Sequence, residues 1–298
     1  VPPVPAAVQT ILETIGSTPV VRLARVVPQG GATVYLKLEL LNPGASAKDR
    51  VAVAWVEQAE RSGRLKPGAS VVTATTGSLG ISLAMVCAAR GYALTVVMPD
   101  AMALEKRATL KLYGATVVLT PAEDGFHGAN VRAQEIAASS SAALLDQLAG
   151  SEGAESHART TGPELVEAAR SEGGLDGFVC GVGTGAMLEG MSQSIREHFP
   201  GAVIAAVEPT GSPGMHRLQG LEAAGRGHFD RLFQISDVEA WAMKEQLGRV
   251  EGLLVGISTG AHVAAAVRLA RELGADRRVY TVAVDTGERY FSMAQQFR

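Results

Sequence analysis

Three times between Ser70 and Ala138 the sequence runs an apolar, β-branched stretch, a glycine-containing turn and an alanine-rich helical stretch. The units are Ser70–Thr75 with Leu79–Arg90, Leu94–Met98 with Leu104–Tyr113, and Thr116–Leu119 with Ala129–Ala138. Strands without polar alternation are buried on both faces, so the units predict a parallel sheet with helices on each side. Upstream, Ile15–Leu23 reads as a turn into a short extended segment, Ala32–Leu40 alternates as a strand, and Arg50–Ser62 reads as a helix. A break rich in Ser, Gly and Ala spans Ser139–Ala154, after which the pattern returns. Helices are expected at Thr160–Arg170, Gly185–His198, Val238–Leu247 and Ala261–Leu273. Strands are expected at Gly177–Val182, Val203–Val207, Leu253–Ile257 and Val279–Val284, with Glu208–Phe233 irregular. Two α/β lobes in succession imply a cleft, and ligands of such sheets bind outside the carboxyl ends of the strands.

Asn42–Arg50 is the stretch most suggestive of chemistry. Pro43, Gly44 and Ser46 interrupt the preceding strand, and Lys48 stands at the mouth of the next helix. The positive end of a helix dipole disfavours an ammonium ion and so favours the neutral amine that attacks an aldehyde. The loop alone leaves open an ordinary solvated lysine.

Four turns resemble ligand cradles. Thr75-Thr76-Gly77-Ser78-Leu79-Gly80 sets hydroxyls and glycines ahead of a helix, which suits a carboxylate or phosphate. Gly181-Val182-Gly183-Thr184-Gly185-Ala186-Met187 allows close backbone approach to a phosphate. It lacks both the Rossmann spacing and the Gly-Lys-Ser/Thr of a P-loop. Gly256–Gly260 and Asp285–Tyr290 are the other two; each taken singly also fits a plain connection. Together with Lys48 they supply a Schiff-base candidate, a phosphate cradle, a carboxylate cradle and a neutral hydroxyl, the set that pyridoxal phosphate and an amino acid need.

The totals exclude several other classes. The 27 basic and 30 acidic residues give a net charge of −3 without a basic block, so neither nucleic acid nor an anionic membrane is an expected partner. No apolar run reaches the ~20 residues of a membrane helix, and Val1–Pro5 lacks signal-peptide character; a cytoplasmic location is expected. Cys87 and Cys180 are far apart with no Cys/His cluster, so buried hydrophobes are expected instead of a disulfide or zinc site.

The chain resembles the cysteine synthase group (O-acetylserine sulfhydrylase and the catalytic core of cystathionine β-synthase) of pyridoxal-phosphate enzymes. The matching segments are Ile15–Leu23, Lys37–Arg50, Thr75–Ala84, Met98–Thr120, Thr160–Glu164, Gly181–Gly185, Glu208–Pro213, Gly256–Ala261 and Asp285–Tyr290. They run in the family's order over nearly the whole chain. The resemblance implies an α/β fold of two doubly wound three-layer lobes with mainly parallel sheets, the tryptophan synthase β-like fold. Residues 43–146 would form a smaller mobile lobe, and 1–42 with 147–298 a larger cofactor-binding lobe. It also implies a homodimer, with no haem extension before Ile15 and no regulatory domain after Arg298.

Roles carried over by the resemblance place Lys48 on the cofactor as Schiff-base lysine and as the base acting at the substrate's α carbon. Gly183, Thr184 and Gly185, with the amides of Ala186 and Met187, would hold the phosphate, and Asp285 would border the cofactor. Ser258 would face the pyridine nitrogen, and its neutral hydroxyl favours loss of a β leaving group over a long-lived carbanion. Thr75, Thr76, Gly77 and Gln147 would bind the substrate carboxylate, with Ser78, Leu79 and Gly220 at the same site. Closure of the smaller lobe would exclude water.

Four departures from the family pattern bear on substrate choice. Ser78 stands where the family has an asparagine that reaches the cofactor's ring oxygen, and Leu79 where it has a hydroxyl. Met187 replaces a common threonine, and the glycine-rich segment after Gly220 is replaced by a shorter one beginning Leu221–Ala224. Each lost bond to a charged group costs about 1.5–3 kcal/mol, so a specialised pocket and neutral drift both stand as readings. The expected reaction is β-replacement on serine or an O-activated serine, of the O-acetylserine or O-phosphoserine type. The alternatives are β-elimination to pyruvate and ammonia, a non-sulfide nucleophile, or a weak paralogue kept for binding.

Overall fold

The computed structural model describes residues 7–75, 77–146, 151–210 and 228–297. The strands, in chain order, are β1 (Val20–Leu23), β2 (Thr33–Lys37), β3 (Ser70–Ala74), β4 (Ala93–Pro99), β5 (Thr116–Thr120), β6 (Ala143–Leu144), β7 (Gly177–Gly181), β8 (Val203–Pro209), β9 (Arg231–Ile235) and β10 (Arg278–Val282). The described α-helices are α1 (Lys48–Arg61), α2 (Ser78–Arg90), α3 (Leu104–Leu112), α4 (Gly125–Ser140), α5 (Glu152–Arg159), α6 (Thr161–Ser171), α7 (Ala186–His198), α8 (Asp237–Gln246) and α9 (Ile257–Leu273). A C-terminal 3-10 segment covers Gly287–Phe297. None of the described helices is long and apolar enough to cross a membrane.

Two sheets result. One has six strands in the order β1-β2-β10-β7-β8-β9, and the other has four in the order β5-β4-β3-β6. All pairings are parallel except β1 with β2. The apolar runs of the strands now have their physical reason, since alternate residues feed separate cores. On one face of the six-stranded sheet, Val34, Leu36, Val179, Ala205 and Val279 pack against α8 and α9. On the other, Tyr35, Phe178, Cys180, Ile204 and Tyr280 pack against α6 and α7. In the four-stranded sheet, Val71, Val96 and Met98 join α1, α2 and α3, while Val72, Ala74 and Val97 meet Ala129 and Ala133 of α4. The expected mainly parallel, doubly covered architecture is the one observed.

Local readings fail at three places. The expected strand Leu253–Ile257 is a connection between helices, with Val255 making one isolated bridge to Thr286 and α9 already beginning at Ile257. Its apolar character comes from burial of Val255 and Ile257 and not from sheet pairing. The break at Ser139–Ala154 contains β6 and the start of α5, and the segment read as irregular up to Phe233 includes the start of β9. Cys87 and Cys180 are free and buried, and burial pushes both thiols up to about 12.

Candidate active site

A cavity of about 670 Å³ opens at the carboxyl ends of β3, β4, β7, β8 and β10, where Thr75, Pro99, Gly181, Pro209 and Val284 line it. Four helices begin there: α1, α2, α7 and α9, with Ala47, Gly77, Gly185 and Gly256 at their N-caps. None of the four has a cap hydrogen bond from its N-cap side chain. First-turn amides left without an intrahelical acceptor are donors for anions, and the dipoles add positive potential. The site can therefore take more than one anionic group.

Lys48 is the first residue of α1 and its side chain lines the cavity. The surrounding protein removes water from its amine and lowers its pKa, which favours the nucleophilic form. The next residue fixes the loop: Asp49 accepts from Gly44 N at 2.6 Å and from Ser82 Oγ at 2.6 Å. Burial raises the Asp49 carboxyl to about 6, against those two bonds.

On the α7 side, Gly183, Thr184, Gly185 and Met187 line the cavity. A Cβ on Gly183 would meet nothing within 4 Å, so the backbone is open to a bound group. Gly185 has φ 86°, a left-handed conformation that favours glycine. Ala186 contributes backbone, its amide donating to Thr184 Oγ1 at 3.5 Å. His262 supports this turn from below, its Nε2 accepting from Gly181 N at 2.8 Å and its Nδ1 bonding Val282 O at 3.0 Å. That pattern requires a neutral ring, and burial holds His262 down to about 4.

Across the cavity stand Thr75, Gly77, Ser78 and Leu79. Ser78 Oγ donates to Asp285 Oδ2 at 2.7 Å, and Tyr290 OH donates to the same oxygen at 2.8 Å. The Ser78 proton is thus committed to Asp285. Ser258 lines the wall at the start of α9. Gly260, in the same turn, answers to packing instead, because a Cβ there would strike the carbonyl of Ala240 on α8. Lys48, Thr75, Gly77, Ser78, Leu79, Gly183, Thr184, Gly185, Met187, Ser258 and Asp285 therefore share one cavity. Thr76, Gln147, Gly220 and Leu221–Ala224 lie outside the described residues.

Sequence reasoning missed Lys106, Tyr290 and His262, which also line the cavity. Tyr290 closes a motif already noted, but nothing in the sequence marks Lys106 on α3 or His262 on α9 as inward-facing.

The buried histidines give an acid dependence. Burial lowers His157 to about 3 and His262 to about 4, below the ordinary ~6.5, so the unfolded chain binds more protons as pH falls from 6.5 toward 4. Asp49, raised to about 6, opposes them over the same range. Two histidines against one aspartate leave stability falling by on the order of 1.4 kcal/mol per pH unit through this window. Urea midpoints of the cofactor-free protein at pH 7, 5.5 and 4.5 check it, and His262→Asn should flatten the slope.

Comparison with known proteins shows the family. The family description "Pyridoxal-phosphate dependent enzyme" matches residues 11–285. A cysteine synthase of Staphylococcus aureus is 41% identical over 298 residues, covering 96% of each chain. The crystal structure of O-ureido-L-serine synthase superposes with a TM-score of 0.90 at 37% identity, covering 96% of this chain and 94% of that one. The O-acetylserine dependent cystathionine beta-synthase from Helicobacter pylori gives 0.89 at 29% identity, covering 96% and 98%.

Proposed function

The chain belongs to the pyridoxal-phosphate-dependent enzyme family, and on that premise we propose that it performs β-replacement on an O-activated L-serine, forming cysteine or a related β-substituted alanine. The observation that carries this reading is the amine of Lys48, its ammonium form disfavoured, in a cavity where four helices begin with N-cap residues that make no side-chain cap bond. The residues fit the cofactor: Gly183 leaves backbone open, the α7 start offers amides to a phosphate, and Lys48 offers an amine to an aldehyde. Pyridoxal phosphate, when bound, supplies the electron sink that acidifies the substrate's α C–H and lets a β-substituent leave.

The chain's own residues do the rest. Lys48 holds the cofactor and moves the proton at the substrate's α carbon. Gly183, Thr184, Gly185, Ala186 and Met187 bind the phosphate. Ser258 gives the pyridine nitrogen a neutral hydroxyl, which leaves that nitrogen unprotonated. Thr75, Gly77 and the α2 start orient the substrate carboxylate, with Thr76 and Gln147 in the same role, and Ser78 and Asp285 border the cofactor. Leu79 and Gly220 shape the substrate pocket. Closure of residues 43–146 over the substrate excludes water, and the enzyme acts as a cytoplasmic homodimer. Sedimentation tests the dimer.

Purified protein supplied with pyridoxal phosphate and O-acetylserine is expected to yield cysteine when sulfide is present. Pyruvate without thiol product would replace this reading with β-elimination, and neither product from O-acetylserine or O-phosphoserine, with sulfide or another thiol, would remove both.

A further inference from the structure

Helix α3 is folded against its own sequence pattern. It exposes Leu104 and Leu112, at 65% and 87%, while Lys106 is only 8% exposed and faces the cavity. The Lys106 ammonium lies over the Tyr290 ring, 4.6 Å from its centroid. Among the described residues it has no ion pair and no hydrogen bond. Asp285 and Glu105 attract it from a distance and Arg289 repels it. A buried ammonium without a counter-charge is costly, and a single aromatic face offsets part of that cost.

Its position explains why the fold keeps it. A Cβ placed on Gly77 would come 2.7 Å from Lys106 Nζ, so the ammonium lies against the backbone of the turn that opens α2. Gly77 is the N-cap of that helix and provides no side-chain cap. The neighbouring Leu79 brings no hydroxyl, and the Ser78 proton is held by Asp285. The α2 turn therefore has few free side-chain donors and has a cation beside it.

We propose that Lys106 is the counter-ion of the substrate's α-carboxylate, binding it together with the start of α2, so that the site selects amino acids whose α-carboxylate is free and rejects their amides and esters. The inference rests on the β-replacement reading, because it takes the ligand of the α2 turn to be an amino acid. Burial lowers the Lys106 pKa, and a carboxylate bound beside it would favour the charged form.

The test titrates cofactor-loaded protein with L-alanine and with L-alaninamide, which keeps the shape but not the charge, following the absorption of the bound cofactor. Lys106→Met is expected to weaken L-alanine about 10–100-fold and to leave L-alaninamide within about twofold, while Lys106→Arg recovers most of the loss. The thermal midpoint of cofactor-free Lys106→Met should equal or exceed that of the unmodified protein, since methionine removes the unpaired charge at similar length. L-alanine affinity within about threefold of the unmodified protein overturns the proposal, as does an equal loss for both ligands with a lowered midpoint, which is the signature of packing alone. If the unmodified protein binds neither pyridoxal phosphate nor L-alanine, the β-replacement reading fails and this inference fails with it; failure in the variants alone leaves that reading standing.

Discussion

Lys48→Ala is expected to cut turnover by at least about 10³-fold and to abolish covalent attachment of the cofactor. Alanine keeps α1 intact and leaves the Gly183–Met187 turn unchanged, so the cofactor should still bind by its phosphate. What disappears is the one amine at the α1 start, and with it the base proposed to move the proton at the substrate's α carbon. Borohydride reduction followed by peptide mass mapping reads this directly. The unmodified chain should carry the cofactor's mass on the peptide containing Lys48, and the variant should carry none. Mapping is necessary because Lys106 places a second desolvated amine in the same cavity. Lys48 shares the cavity wall with Cys180 of β7 and the Gly183–Met187 turn, whereas Lys106 lies against Gly77 and Tyr290. A variant that retains the adduct at full level, or turns over within about tenfold of the parent, would show that Lys48 has been assigned wrongly. The thermal midpoint of the cofactor-free variant should not fall, because the substitution removes a poorly solvated amine and no ion pair.

The repeated strand, turn and helix units were legible because a strand buried on both faces is mostly apolar, and β3, β4, β7, β8 and β10 are, with the buried Thr73 and Thr281 hydroxyls bonded to backbone carbonyls. The same rule misled at Leu253–Ile257, where a buried connection between helices carries the composition of a strand without its partners. Helix α5 escaped because it has only eight residues and buries His157 and Ser156 instead of an aliphatic stripe. In the cavity, turns at helix starts announced themselves through Gly, Ser and Thr, whose backbone freedom and hydroxyls such positions demand. Lys106 did not. A lysine beside leucines on a helix reads as the solvated face, and only the packing of α3 beside the Tyr290 segment turns that face inward. The Ser78 hydroxyl was legible as present, but its commitment to Asp285 joins residues 207 positions apart in sequence.

Arg50→Met is expected to destabilise the fold by about 3–5 kcal/mol, because it breaks a buried charge network at the root of the Lys48 loop. Arg50 Nε and Nη2 bond the two Glu39 oxygens at 2.7 and 2.8 Å, while Nη1 and Nη2 bond Glu164 at 2.7 Å each. Lys37 Nζ reaches Glu164 at 2.7 Å and the Thr18 carbonyl at 3.0 Å. Burial alone would raise the Glu164 carboxyl, but the bonds from Arg50 and Lys37 outweigh it and bring it down to about 2. Two cations and two anions balance, so loss of Arg50 leaves Glu39, fully buried, without its principal counter-charge. The network also grips the chain ahead of the Lys48 loop, since Glu39 accepts from Asn42 Nδ2 at 2.9 Å and Asn42 Oδ1 accepts from Gly16 N at 2.8 Å. A midpoint drop on the order of 10 °C in thermal denaturation is therefore expected, with reduced turnover because Lys48 lies two residues away. Adding Glu39→Gln separates charge from packing. If the unpaired carboxylate is the cause, the double variant is more stable than Arg50→Met alone, because the remaining Lys37 and Glu164 still balance each other. Additive losses would place the cost in lost packing and leave the charge argument without support.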